Sequence, residues 1–232
     1  MLWTASIGLL AVLALLPSNA AEIPVQGEPD RLKGKSLYDE LWDNNKDIAD
    51  KTLETDFLKK MAAGTLPAER YTNLTIQDVY YAVEVTKILN RLQKEKDSRD
   101  DVKHFLIDRY SSYNQFAQFM LQQYNLKNSV GIKPSPATAS YLKSYGKFAM
   151  LDHIYFAVAL LPCARLWPYL AEHLDIPKDS PYYRFKADNE GGNTEKHYKN
   201  LLEKYRRDIK ESYANFIFRQ QMIHENEFFK SA

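Results

Sequence analysis

Four residues in this 232-residue chain have side chains that could cooperate in covalent chemistry: Asp78, Tyr81, Cys163 and Glu225. Cys163 is the single cysteine, and a thiol is the strongest nucleophile among neutral side chains. A carboxyl group is the usual partner for moving protons to and from such a nucleophile. Asp78 and Tyr81 lie one helical turn apart and share a face. Each residue also has a purely structural explanation. Cys163 follows Pro162 in an apolar run and could simply fill the core. Thr75 and Asp78 are spaced like a capping box, with Thr75 as N-cap and Asp78 at N3. Tyr81 could be a core tyrosine, and Glu225 a solvated residue on a terminal helix.

The elements that would position these residues read as helices throughout. Leu37, Leu41 and Ile48 recur at roughly helical spacing from Ser36 onward. A short helix is expected over 53–63, stopping at Gly64, and then a loop over 65–73. A long helix follows over about 76–95, and another over 102–124. The run Gly131-Ile132-Lys133-Pro134-Ser135-Pro136 is a clear break. Residues 137–174 read as helical, interrupted near Gly146 and kinked at Pro162, which has no backbone N–H for the preceding turn. A polar loop is expected over 176–193, and one or two helices close the chain. No segment alternates like a strand. The expectation is an all-α single domain, a multi-helix bundle around one core.

Ahead of that domain, Ile7–Leu16 is an apolar run followed by Ser18-Asn19-Ala20, small residues suited to signal peptidase. The reading is a signal peptide over 1–20, cleaved near Ala20, a flexible leader over 21–35, and the helical domain over 36–232. The mature protein is then expected to be secreted and free of the membrane. Asn73-Leu74-Thr75 is a glycosylation sequon and places Asn73 on a surface loop. A formal net charge of +1, with both signs interspersed, argues against nucleic acid as a partner. The 16 tyrosines suit a pocket for a small aromatic ligand.

Taken together, these segments resemble the TenA family, the thiaminase II enzymes of haem-oxygenase-like fold. The resemblance rests on Gly64-Thr65-Leu66-Pro67, Gln77-Asp78-Val79-Tyr80-Tyr81, Ala159-Leu160-Leu161-Pro162-Cys163 and Glu225-Asn226-Glu227-Phe228-Phe229, which occur in the family's order. It implies that Cys163 adds to the pyrimidine ring of thiamine or of a related aminopyrimidine. Glu225 would shuttle protons, Asp78 would hold the ring's amino group and adjacent nitrogen, and Tyr81 would border the ring. A further active-site tyrosine upstream of Cys163 falls at Tyr141. The tyrosine that the family carries after the cysteine has no counterpart over 185–191, where Tyr182 and Tyr183 come slightly early. The resemblance also implies a homo-oligomer and no cofactor. The acceptor of the pyrimidine would be water, or an amine or thiol in thiaminase I-like base exchange.

Two other classes compete. A non-catalytic secreted protein binding a small aromatic ligand would need the pocket but not Asp78, Cys163 and Glu225 together. Metal sites are poorly supported, because the five histidines and one cysteine show no ligand spacing. Asp101-x-x-His104 is the nearest approach to a di-iron pattern. No Gly-x-Ser-x-Gly motif points to a serine hydrolase.

Overall fold

In the computed structural model, residues 34–232 are described. The signal peptide and nearly all of the leader therefore lie outside the described residues. Ten helices, and no strand, make up the described part: α1 (Leu37–Asp43), α2 (Lys46–Leu53), α3 (Asp56–Ala62), α4 (Ala68–Leu92), α5 (Asp100–Gln123), α6 (Pro136–Phe148), α7 (His153–His173), α8 (Tyr183–Asn189), α9 (Glu195–Lys204) and α10 (Glu211–Lys230).

Helix α7 is the axis of the bundle. Phe156 through Leu161 are all fully buried, so this stretch is enclosed on every side rather than along one stripe. Its length and composition would suffice to cross a membrane, but its apolar surface is spent on neighbouring helices. It packs most extensively on α10, which also touches α2 and α6, while α4 pairs with α5. Pro162 and Pro168 both lie inside α7, and the helix continues through them. Each proline leaves the carbonyl four residues earlier without its helical donor.

Several boundaries differ from the sequence expectation for identifiable reasons. The first helical stretch is split by Asn45, which is fully buried. Its Nδ2 donates to the Leu41 carbonyl and to Asn215 Oδ1, both at 2.8 Å. Helix α4 starts at Ala68, with Pro67 as its N-cap residue, so the expected loop over 65–73 is mostly helix. Thr75 is therefore mid-helix, its hydroxyl donating to the Tyr71 carbonyl at 2.8 Å, and the capping-box reading of Thr75 and Asp78 fails. Asn73 is exposed, as expected, but on a helix rather than a loop. The α6–α7 break falls after Phe148 and not at Gly146, because Asp152 caps α7 by accepting from the Ile154 N–H at 2.9 Å. The expected loop over 176–193 contains α8, which Phe185 anchors in the core.

Gly64 is the stop signal that the sequence indicates. It closes α3 at φ 68°, with its N–H on the Met61 carbonyl and the Thr65 N–H on the Lys60 carbonyl, the Schellman pattern. An added Cβ would meet nothing within 4 Å, so substitution costs only left-handed backbone strain. Gly64→Ala is expected to lose about 1 kcal/mol, read as a lower urea midpoint with unchanged slope. An unshifted midpoint would contradict this turn geometry.

Candidate active site

Asp78, Tyr81, Tyr141, Cys163 and Glu225 come from four helices and converge on one interior region. Cys163 sits on α7, immediately after Pro162. Its thiol is pushed well above the ordinary cysteine range, first by burial and then by the Glu225 carboxyl, with the Tyr81 hydroxyl acting in the opposite direction. Nothing here creates a resting thiolate, so any nucleophilic chemistry at this thiol would need a base.

Glu225 can be that base. It lies on α10, 1% exposed, and burial raises its carboxyl above the usual range while hydrogen bonds from Tyr141 and Trp167 and the Cys163 thiol oppose the rise. Tyr141 Oη donates to Oε1 at 2.6 Å, and Trp167 Nε1 donates to Oε2 at 3.1 Å. Two donors on separate oxygens fix the carboxyl plane. Its raised proton affinity makes the Glu225 carboxylate a stronger base than a solvated one, while burial keeps the neighbouring thiol protonated at rest.

Asp78 lies one turn before Tyr81 on α4. Burial, and then the Glu225 charge, push its carboxyl up to about 7. Asp78, Cys163 and Tyr113 are each only half-buried, although burial is the largest influence on all three. Each thus lies deep in the bundle yet keeps accessible surface, as residues that border a binding recess do.

One side of the site is a tyrosine cluster. The Tyr81 and Tyr145 hydroxyls are 2.9 Å apart, and those of Tyr141 and Tyr145 are 3.1 Å apart. The Tyr81 and Tyr141 rings stack with centroids 5.1 Å apart, and Tyr141 stacks on Tyr145 at 5.0 Å. The hydroxyl chain thus runs from Tyr81 to Glu225 through the interior. Opposite, Trp167 packs on Phe229 at 5.1 Å and on Phe185 at 5.6 Å. Phe185, in the 185–191 stretch that lacks the family's tyrosine, thus packs against the tryptophan that holds Glu225. Tyr182 instead donates its hydroxyl to the Leu66 carbonyl and ties α8 to the α3–α4 turn.

Sequence reasoning missed Tyr145, Trp167 and Tyr113. The first two carried a usable signal: Tyr145 is four residues after Tyr141, and Trp167 four after Cys163, so each pair shares a helix face. Tyr113 on α5 had no such anchor.

This fold, with a thiol and two carboxyls enclosed at its centre, belongs to the haem-oxygenase-like all-α class. Its likeness to haem oxygenase-1 from Synechocystis sp. PCC6803 in complex with haem has a TM-score of 0.54 at 16% identity, covering 85% of this chain and 92% of that one. The sequence matches the TENA/THI-4/PQQC family over residues 42–231, and the chain belongs to that family. Among solved structures, a TenA homologue from Pyrococcus furiosus aligns with a TM-score of 0.69 at 18% identity, covering 83% of this chain and 98% of that one. A TenA homologue from P. horikoshii OT3 gives 0.64 at 20% identity, covering 84% and 97%. A protein described as a TenA family transcription regulator from Silicibacter sp. TM1040 gives 0.70 at 12% identity, covering 84% and 95%. No curated protein sequence matches the chain.

Proposed function

We propose that the chain is a secreted thiaminase. It cleaves thiamine, or a related aminopyrimidine, between the pyrimidine methylene and its leaving group, through a covalent bond to Cys163. The observation that carries this reading is the enclosure of one thiol with two raised carboxyls, Glu225 and Asp78, in a recess walled by aromatic rings. Membership of the TENA/THI-4/PQQC family supports thiaminase II-like or related activity. The apolar run Ile7–Leu16 followed by Ser18-Asn19-Ala20 supports export. The active unit is a homo-oligomer in this proposal.

In the proposed reaction, Glu225 takes the thiol proton as Sγ bonds to a ring carbon. The ring electron pair is taken up at a ring nitrogen, which gains a proton from Asp78. The electron pair then returns to expel the leaving group from the exocyclic methylene. Water, an amine or a thiol adds at that methylene and releases its proton to solvent. The carbon–sulfur bond breaks last, Glu225 returns its proton to the sulfur, and the ring nitrogen returns its proton to Asp78. Splitting one displacement into additions and eliminations lowers each barrier. Asp78 holds the amino group and its neighbouring nitrogen, Tyr81 borders the ring, and Tyr141 holds Glu225.

The test is thiamine loss by the purified mature protein, with and without aniline. Loss accelerated by aniline, with a pyrimidine–aniline adduct, identifies base exchange. Loss indifferent to aniline identifies hydrolysis. If neither thiamine nor its aminopyrimidine breakdown product is consumed, the thiaminase reading falls and the pocket is a binding site only.

Trp167→Phe probes the base separately. It keeps an aromatic ring but removes the N–H on Glu225 Oε2, so the carboxyl rises further. The acid limb of the kcat/KM profile is expected to move up by roughly one pH unit. A profile with an unmoved acid limb would show that Glu225 is not the group being titrated.

A further inference from the structure

Helix α5 carries a buried cation that the chemistry above does not use. Arg109 is 6% exposed, and no described carboxylate pairs with it. Its Nε has no hydrogen-bond partner. Beside it the hydroxyl of fully buried Tyr198 on α9 faces the Arg109 side chain and makes no hydrogen bond of good geometry. A buried guanidinium without a counter-charge is costly, and an unsatisfied buried hydroxyl adds to that cost. Two such groups side by side are what a bound oxyanion would resolve.

Their place in the fold connects them to the recess. Phe105, Arg109 and Tyr113 follow one another at four-residue steps along one face of α5. Phe105 meets the Tyr198 ring edge-on at 5.1 Å, and Tyr113 faces Cys163 and Tyr81. Arg109 is thus one helical turn, about 6 Å along the axis, from the residue bordering the thiol. An extended arginine side chain covers a comparable distance. Arg109 and Cys163 both act on the Tyr198 hydroxyl. Exposed Lys196 adds positive character at the same α5–α9 junction, where burial and then Arg109 push half-buried His197 toward its neutral form, and exposed Asp108 is the acidic neighbour there.

We propose that Arg109 and Tyr198 form an oxyanion subsite adjoining the Cys163 recess, which receives a phosphate or carboxylate group carried by the substrate or by the acceptor. The guanidinium fork matches either oxyanion in bidentate fashion, and the tyrosine hydroxyl donates a further bond. The assignment of that group to an aminopyrimidine substrate rests on the thiaminase reading; the subsite itself does not.

The experiment measures binding without turnover. The mature wild-type protein, Arg109→Gln and Tyr198→Phe are titrated by calorimetry with inorganic phosphate and, separately, with acetate at constant ionic strength. Phosphate binding at least tenfold weaker in Arg109→Gln, and several-fold weaker in Tyr198→Phe, is expected and marks a phosphate subsite. The same pattern with acetate alone marks a carboxylate subsite. Equal binding by all three proteins, or no binding of either ion to wild type, overturns the proposal. Tyr198→Phe removes only a hydroxyl that makes no hydrogen bond of good geometry and is expected to fold normally, so the test stands even if Arg109→Gln does not. A protein that binds phosphate through Arg109 but leaves thiamine intact would refute the thiaminase reading and not the subsite.

Discussion

Cys163→Ser is expected to lose thiamine-cleaving activity by about 10³-fold or more, equivalent to roughly 4 kcal/mol of barrier. The surroundings explain why oxygen cannot replace sulfur here. Burial and the Glu225 charge already hold the thiol proton tightly. A serine hydroxyl, intrinsically a far weaker acid, would hold its proton beyond the reach of any carboxyl. The histidine beside Glu225 in the chain, His224, is stacked on Tyr141 instead. Size is not at issue, because Cys163 is only half-buried and borders the recess. The unfolding midpoint is therefore expected to stay close to that of wild type. Intact-mass analysis of wild type quenched during turnover is expected to show a pyrimidine adduct, and the variant none. Activity within tenfold of wild type in Cys163→Ser would remove the thiol from the mechanism.

The positions that could be read from the sequence were those marked by a local rule. Gly64 announced a left-handed helix end, and Pro134-Ser135-Pro136 the start of α6, where the Ser135 hydroxyl caps the helix by accepting from the Thr138 N–H. Asp78, Cys163 and Glu225 stood out only as a set, because each alone has an ordinary structural use. The errors arose where tertiary contacts overrode local pattern. Asn45 breaks a helical stretch by satisfying itself against Asn215 on α10, 170 residues away. Thr75 looked like a cap because its spacing to Asp78 matches one, yet the helix had already begun at the preceding proline. The support for Glu225 was invisible, because Tyr141 and Trp167 reach it across 84 and 58 residues. Trp167 is adjacent to Cys163 only through the helical period, and Arg109 carried no motif at all.

Asp78→Asn is expected to make the folded protein more stable at pH 8 and less active. The wild-type carboxyl is pushed up to about 7 in the folded state, against about 3.9 in an unfolded chain. Below about pH 4 both states hold the proton, and the group costs nothing. Between pH 4 and 7 the unfolded chain releases a proton that the fold retains, so stability falls as pH rises. Above 7 the full penalty is present. The amide cannot ionise and avoids it, giving an expected gain on the order of 2 kcal/mol at pH 8 and little gain at pH 4, with allowance for the carboxyl's partial solvent access. Urea unfolding at the two pH values reads this directly, and equal differences at both would refute a raised carboxyl. Catalysis responds in the other direction. A protonated carboxyl can donate to a ring nitrogen while accepting from the amino group beside it, and an amide presents the same donor and acceptor pair. KM for thiamine is therefore expected to change by only about threefold, a shift within the range of a single altered hydrogen bond. What the amide lacks is a proton to surrender to the ring nitrogen as sulfur adds, so kcat is expected to fall by about 10²-fold. A raised KM with kcat intact would make Asp78 a binding group alone. The stability penalty at position 78 is then the cost of holding an acid in the recess at the pH where the chemistry needs one.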